Sequence, residues 1–178
     1  IVPWFWLPST PLIVALLAAE YVLFILYSVP PLRLKARGIW GPVADALYGY
    51  VVTQIVAALV FAKFVGVTPP IPFLVALVIW TFCFGFGNIL LHQLIDETRD
   101  REDGIPTFVV QRGWSIGFDI ALDIVTGATL VSFVGLMIVQ GMSNPLVPTG
   151  FAAYLACLLA WWTQHGIWHT PWIKRLPR

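Results

Sequence analysis

The sequence predicts an all-α fold, a polytopic transmembrane helical bundle with about five spans. Apolar residues make up 59% of the 178 residues and charged residues only 11%, whereas a soluble domain keeps roughly a quarter of its residues charged. Apolar stretches of roughly 20 residues, each long enough to cross a hydrocarbon core of about 30 Å as a helix, alternate with proline, glycine and charge. We therefore expect one transmembrane domain over residues 1–178, with a lipid bilayer as its surroundings.

Proline pairs mark the limits of the first three predicted spans. We expect these spans at about Pro11–Val29, Val43–Val65 and Ile71–Ile95. Pro30-Pro31 follows the first span, and Pro69-Pro70 precedes the third. Because proline lacks an N–H and disfavours a helical residue before it, each pair predicts a break between helices.

A turn-rich stretch separates the last two predicted spans. We expect them at about Ser115–Val139 and Thr149–Trp168, on either side of Gly141–Pro145. Glycine, serine, asparagine and proline in succession are typical of a tight connection.

All basic residues except Lys63, which lies near a helix end and can reach its interface, occupy alternate connections between these spans or the C-terminal tail. They are Arg33, Lys35, Arg37, Arg99, Arg101, Arg112, Lys174, Arg175 and Arg178. The intervening connections, Gly66–Pro70 and Gln140–Pro148, carry no lysine or arginine. The positive-inside rule therefore places the basic loops and the C-terminus on the cytoplasmic side of the membrane. We expect this membrane to be the cytoplasmic (inner) membrane or an intracytoplasmic membrane.

The overall charge excludes one class of partner. The net charge is +1, and no long basic run is present that could neutralise a phosphate backbone. We expect no nucleic acid partner.

Acidic residues are concentrated where the third span ends. Asp96 and Asp100 are four residues apart, so on a continuing helix they share one face. Two carboxylates at that spacing repel each other unless a cation lies between them, and Mg²⁺ prefers carboxylates together with substrate phosphates. Asn88 and His92 lie on roughly the same face and would extend a polar stripe into the membrane. The alternative is a solvated loop in which acidic and basic side chains pair with each other.

The connection after the first span offers charges of the opposite sign. Tyr27 is followed by two prolines and then by Arg33, Lys35 and Arg37. Arginine holds phosphate oxygens through paired N–H groups, and lysine adds a point charge. Cations facing acids suggest a diphosphate site, whereas the alternative is ordinary topology signalling.

Together the two loops resemble those of the UbiA family of intramembrane prenyltransferases, including its chlorophyll-synthase-like branch. Tyr-Ser-x-Pro-Pro-x-Arg-Leu-Lys, here Tyr27 to Lys35, is similar to the loop after that family's fourth helix. Asp96-x-x-x-Asp100-Arg101-x-x-Gly104-x-x-Thr107, closing at Gly113, is similar to its second aspartate motif. The resemblance covers nearly the whole chain and implies helices four to eight of a nine-helix bundle.

The resemblance implies an enzyme that ionises a polyprenyl diphosphate and joins the prenyl group to a hydrophobic acceptor of aromatic, porphyrin or terpenoid type. It implies that Asp96 and Asp100 hold Mg²⁺, that Arg33 and Lys35 contact the diphosphate, and that Tyr27 lines the reacting end of the prenyl chain. It also implies that Arg101 and Asp103 orient the loop. Together with Asn88 and His92 of the polar stripe, these two are the candidate cofactor-binding residues.

One part of the family pattern has no counterpart in these residues. The first aspartate motif, expected between the family's second and third helices, is absent. This absence fits a sequence that is part of a longer chain and fits a naturally shortened relative equally well. The alternative function is a non-catalytic UbiA-like scaffold subunit that joins other subunits in a larger membrane assembly, such as a photosynthetic pigment–protein complex.

Further polar and small residues lie inside the predicted spans. Asp119 and Asp123 form a second i, i+4 pair and are candidates to face the same cavity, with helix packing an equal alternative. Gly85 and Gly87 predict close helix packing rather than a nucleotide-binding loop.

Overall fold

The computed structural model describes residues 10–165, which are helical almost throughout. We number the helices in chain order: α1 Pro11–Ser28, α2 Trp40–Val65, α3 Ile71–Ile95, α4 Glu97–Glu102, α5 Phe108–Arg112, α6 Trp114–Ser143 and α7 Leu146–His165. No β-strand forms in the described part, where one isolated bridge joins Gly38 to Thr107. The all-α prediction is confirmed.

Four of the predicted spans are confirmed as helices. Among residues 10–165, α1, α2, α3 and α6 are each long and apolar enough to cross a membrane, which indicates a membrane protein in a lipid bilayer. The apolar part of α7, Leu146–Ala160, is shorter, so the fifth span stays a prediction. Its predicted end at Trp168 and the basic tail, Lys174, Arg175 and Arg178, lie outside the described residues.

Two of the long helices contain a π-helical segment. One covers Leu47–Val52 within α2, and the other covers Ile120–Val125 within α6. Single π-helical turns inside α-helices are frequent at functional sites. Both segments here pack against α3, so this helix lies between the two irregular places in the bundle.

Two buried clusters hold the spans together. Ile13 of α1 packs with Val52, Val56 and Val60 of α2. The second cluster joins α3, α5 and α6 through Leu90, Leu94, Phe108, Val109, Ala121 and Val125. Many other large apolar side chains are exposed, such as Phe64 at 77% and Val131 at 74%, as expected of surfaces that face lipid.

Glycines in α3 permit close contact with its neighbours. A Cβ added at Gly85 would lie 2.5 Å from Cδ2 of Tyr50, and one at Gly87 would lie 3.0 Å from Cγ1 of Val125. Both partners belong to the π-helical segments. The Gly85-x-Gly87 pair is therefore a helix-packing feature, as the sequence indicated.

The described chain divides into two compact units. The first ends at Leu136 and the second begins at Met137. In the second unit, Asn144 Oδ1 accepts a hydrogen bond from the N–H of Leu146 over 3.1 Å, which satisfies one of the otherwise unpaired donors at the start of α7. All features of the candidate site described below belong to the first unit.

Candidate functional site

The ends of α1 and α3 and the loops that follow them line a cavity of about 150 Å³, which we call the loop cavity. Five residues predicted from the sequence line it: Tyr27, Lys35, His92, Asp96 and Asp100. Its other lining residues are Ile89, Gln93, Ile105 and Thr107. Residues far apart in the sequence thus come together in one polar pocket.

The first loop is shaped by hydrogen bonds to its own backbone. Arg37 donates from Nε to the carbonyl of Leu32 over 2.6 Å and from Nη2 to the carbonyl of Pro31 over 3.1 Å. Lys35 lies in the short 3-10 turn Leu34–Ala36. The start of α2 packs closely on this turn, since a Cβ at Gly41 would lie 3.2 Å from the Lys35 Cα. This packing fixes the backbone from which Lys35 reaches the loop cavity.

The second loop carries both carboxylates. Helix α3 ends at Ile95 and α4 begins at Glu97, so the predicted continuous helix is interrupted at Asp96. The Asp100 N–H nevertheless donates to the Asp96 carbonyl over 2.8 Å, which preserves the i, i+4 relation. The two acids therefore lie one turn apart and both line the loop cavity.

The two loops also contact each other. The bridge between Gly38 and Thr107 joins their backbones, and a Cβ at Gly38 would lie 2.7 Å from Oε1 of Gln111. Gln111 in turn donates from Nε2 to the carbonyl of Pro106 over 2.8 Å. Because Gly38 also has a φ of +57°, a larger residue there would be strained and would displace the Gln111 side chain.

The Asp100 carboxyl in the loop cavity lies near both acidic and basic side chains. Burial raises the pKa of the Asp100 carboxyl above its usual range, and the neighbouring Asp96 and Asp103 raise it further. The Thr107 hydroxyl and the Lys35 ammonium oppose this shift. A cation placed between Asp96 and Asp100 would relieve the repulsion that these two acids contribute.

A polar pair that sequence reasoning did not identify lies behind Tyr27. The Tyr48 hydroxyl donates to Oδ1 of Asp45 over 2.8 Å, and the rings of Tyr27 and Tyr48 are in contact with centroids 5.5 Å apart. Asp45 also lies close enough to His92 for an electrostatic interaction. Because Tyr48 lies in the π-helical segment, a regular helical wheel would have misjudged its direction.

Four of the predicted site residues do not line the loop cavity. Asn88 donates to the hydroxyl of Tyr50 and lines a separate cavity of about 210 Å³. Arg101 pairs with Glu97 over 3.0 Å from its Nε. Asp103 lies 3.8 Å from Arg99, and both of these side chains are largely exposed. Arg33 has a left-handed backbone with φ 36° and is also absent from the lining.

The second acidic pair of the sequence also lies elsewhere. Asp119 and Asp123 are exposed and line neither of the two cavities. The expectation that they face the same cavity as Asp96 is therefore wrong for the described part of the chain. Because Asp123 lies within the π-helical segment Ile120–Val125, it does not keep regular α-helical spacing to Asp119.

The donor set of the loop cavity fits Mg²⁺ together with a phosphate ligand. Within residues 10–165, no three His, Cys, Asp or Glu side chains gather closely enough to hold a metal by themselves. Mg²⁺ does not require such a group, since it is commonly bound by one or two carboxylates, several waters and substrate phosphates. Asp96 and Asp100 supply the carboxylates.

Two neutral residues of the loop cavity escaped the sequence interpretation. The Gln93 Oε1 accepts a hydrogen bond from the Val109 N–H over 3.3 Å, and Thr107 follows the acidic motif. Both are buried, with 5% of each residue exposed. The only sequence signal for Gln93 is its place among the few polar residues of α3, next to His92, and Thr107 stood out only as part of the motif.

Comparisons of this chain with protein-family models, with curated proteins and with solved structures give no significant match.

Proposed function

We propose that this chain is an intramembrane prenyltransferase of the UbiA type that transfers a polyprenyl group from its diphosphate to a hydrophobic acceptor. The observation that carries the proposal is the meeting of Tyr27 and Lys35 with Asp96 and Asp100 in the loop cavity. The tyrosine comes from the end of α1, and the cation and the two carboxylates come from the two loops. Together they form a site suited to a metal-bound diphosphate at the end of a membrane-spanning bundle.

In the reaction, the bond between the first prenyl carbon and the diphosphate oxygen breaks, and its electron pair leaves with the diphosphate. The acceptor gives an electron pair to that carbon and releases one proton to solvent. Lys35 neutralises charge on the departing diphosphate, and the Tyr27 ring borders the carbon that becomes electron-poor. The acceptor is of aromatic, porphyrin or terpenoid type.

Asp96 and Asp100 are the residues that would hold Mg²⁺. When bound, Mg²⁺ supplies positive charge that stabilises the leaving diphosphate. The spans exclude water from the prenyl chain, which protects an electron-poor carbon from hydrolysis. By the positive-inside rule the loop cavity lies on the cytoplasmic side. The membrane is the inner membrane or an intracytoplasmic membrane.

The proposal is tested by binding geranylgeranyl diphosphate to the full-length protein in nanodiscs, with and without Mg²⁺. We expect Mg²⁺-dependent binding that falls about tenfold or more in Asp96→Asn and in Asp100→Asn, because each loses a charge-assisted contact. Glu102→Gln is the matched control, since Glu102 is an exposed acid of the same short helix and does not line the loop cavity.

The scaffold alternative gives the opposite result in the same experiment. It is favoured by the small metal-ligand set, because among residues 10–165 Asp96 and Asp100 are the only carboxylates lining the loop cavity. A folded wild-type protein that binds no prenyl diphosphate at any Mg²⁺ concentration would identify the chain as a structural subunit of a larger membrane assembly.

A further inference from the structure

The Thr107 side chain is buried without a hydrogen bond. Only 5% of the residue is exposed, and its Oγ1 makes no hydrogen bond in the described part of the chain. It lies near enough to Asp100 to lower the pKa of that carboxyl, yet the two do not have hydrogen-bond geometry. A buried hydroxyl without a partner destabilises a fold, so its presence calls for an explanation. Thr107 lines the loop cavity, where a ligand could accept a hydrogen bond from its hydroxyl.

The Gln93 side chain supplies a second neutral donor to the same cavity. Its Oε1 accepts the N–H of Val109 over 3.3 Å, and only the oxygen of a carboxamide can accept such a bond. The NH₂ end is therefore left for the loop cavity, which Gln93 also lines. This contact fixes the amide orientation, because reversing it would leave the buried Val109 N–H facing a donor.

We propose that the Thr107 hydroxyl and the Gln93 carboxamide donate hydrogen bonds to the anionic oxygens of the bound diphosphate and so form a neutral donor pair. This inference rests on the proposed function and extends its binding set beyond the charged residues. The two donors come from different elements, Gln93 from α3 and Thr107 from the residue before α5. The contact of Gln93 with Val109 keeps these elements together.

A neutral pair suits this position because of its acidic neighbours. A further lysine or arginine next to Asp96 and Asp100 would form ion pairs with them and compete with Mg²⁺. A hydroxyl and a carboxamide can bind the anion without occupying the carboxylates. Preorganised donors of this kind also cost no reorganisation when the ligand arrives.

The test compares Thr107→Val with Thr107→Ser in the full-length protein in nanodiscs. Valine matches threonine in shape but cannot donate, whereas serine keeps the hydroxyl. The probes are geranylgeranyl diphosphate and inorganic pyrophosphate, each with Mg²⁺. We expect Thr107→Val to weaken binding of both by about tenfold or more and Thr107→Ser to stay near wild type. Gln93→Glu, which keeps the acceptor for Val109 and loses the donor, should also weaken both.

Thermal stability separates a binding role from a structural one. Because valine removes a buried hydroxyl that has no partner, we expect the Tm of ligand-free Thr107→Val to be equal to or higher than that of wild type. A lower Tm together with weaker binding would overturn the inference and assign Thr107 to the fold. Binding of both probes unchanged in Thr107→Val would overturn it as well.

Two further outcomes are distinguishable. Mn²⁺ alone, followed by electron paramagnetic resonance, reports on Asp96 and Asp100 without a phosphate ligand. If Thr107→Val weakens Mn²⁺ binding as much as pyrophosphate binding, the hydroxyl acts through Asp100 and the inference is overturned. Wild-type protein that binds neither probe overturns the proposed function and this inference together, whereas a loss confined to the variants supports both.

Discussion

Asp100 is the residue whose surroundings bear most directly on metal binding. Its carboxyl is partly desolvated and lies near Asp96, which raises its pKa, and near Lys35, which opposes that rise. A raised pKa means that the folded protein holds the proton more tightly than the unfolded chain does. The charged form at neutral pH therefore costs stability, and this cost disappears as the pH falls below the folded pKa.

This environment predicts the pH dependence of metal binding. Because Mg²⁺ needs the ionised carboxylate, Mn²⁺ used as its probe should be lost on acidification at a pH above the ordinary aspartate value of about 4. In Lys35→Met the midpoint should move to higher pH, since the charge that lowers the Asp100 pKa is removed. The measurement is the Mn²⁺ resonance signal across a pH series. A midpoint unmoved by Lys35→Met would contradict the electrostatic role of that lysine.

The same linkage predicts a stability change at Asp100. We expect Asp100→Asn to unfold at a higher temperature than wild type at pH 7 without metal, because the desolvated charge is gone. The difference should vanish at low pH, where the wild-type carboxyl is also neutral. The measurement is thermal unfolding at the two pH values, with Glu102→Gln as the control for an exposed acid. A lower unfolding temperature of Asp100→Asn than of wild type at pH 7 would contradict the destabilising effect of the partly buried charge.

Helix α3 is the element on which the bundle depends, because it packs against both π-helical segments. The Tyr50 ring lies over Gly85 and meets Phe84 edge-on with centroids 5.7 Å apart, while its hydroxyl accepts from Asn88. This crossing explains why Asn88 does not reach the loop cavity. Its amide instead joins α3 to α2 within the apolar part of the bundle.

A substitution at this crossing should be costly. In Gly85→Ala the new Cβ would approach Tyr50 to 2.5 Å at Cδ2 and 3.0 Å at Cβ, so the helices must separate. We expect a loss of about 1 to 3 kcal/mol in unfolding free energy, the usual cost of overpacking. The measurement is denaturant unfolding in detergent micelles.

Gly135→Ala is the control for that experiment. Gly135 is helical, and an added Cβ there meets nothing within 4 Å. The unfolding free energy of Gly135→Ala should be unchanged or raised by up to about 1 kcal/mol, because alanine is a better helix former than glycine. Equal effects of the two substitutions would contradict the close packing of Tyr50 on Gly85.

At the scale of the whole molecule, the order of the spans determines which loops can meet. Successive spans cross a bilayer in alternate directions, so as the first and third candidate spans α1 and α3 are expected to have their C-terminal ends on one side. The connection Gly66–Pro70 between α2 and α3 then lies on the other side. The loop cavity needs this arrangement, because it is built from the connections after α1 and after α3.

This topology predicts the accessibility of single cysteines. With Cys83 and Cys157 replaced by serine, Glu102→Cys should react with a membrane-impermeant maleimide only from the cytoplasmic side, and Val67→Cys only from the opposite side. Both positions are exposed. Labelling in right-side-out and inverted vesicles distinguishes them, and labelling of both from one side would refute the alternating topology.

The sequence by itself determined the helical class and the position of most spans. In lipid every backbone polar group must be satisfied within the element, so a long apolar stretch bounded by proline has few alternatives to a helix. This is why Ile71–Ile95 was predicted with the bounds that the structure has. The sequence also predicted that Asp96 and Asp100 lie one turn apart, because a spacing of four residues along a helix determines that placement.

Only the tertiary structure decided which polar side chains share a cavity. Thr107 and Gln93 enter it because α5 folds back on α3, and Asn88 leaves it because Tyr50 captures its amide. These contacts join residues up to 38 positions apart, and the contact of Asn88 with Tyr50 is made to the π-helical segment of α2. Helical periodicity carries no information about such partners, because the direction of a side chain beyond an irregular turn is set by the helices that pack against it.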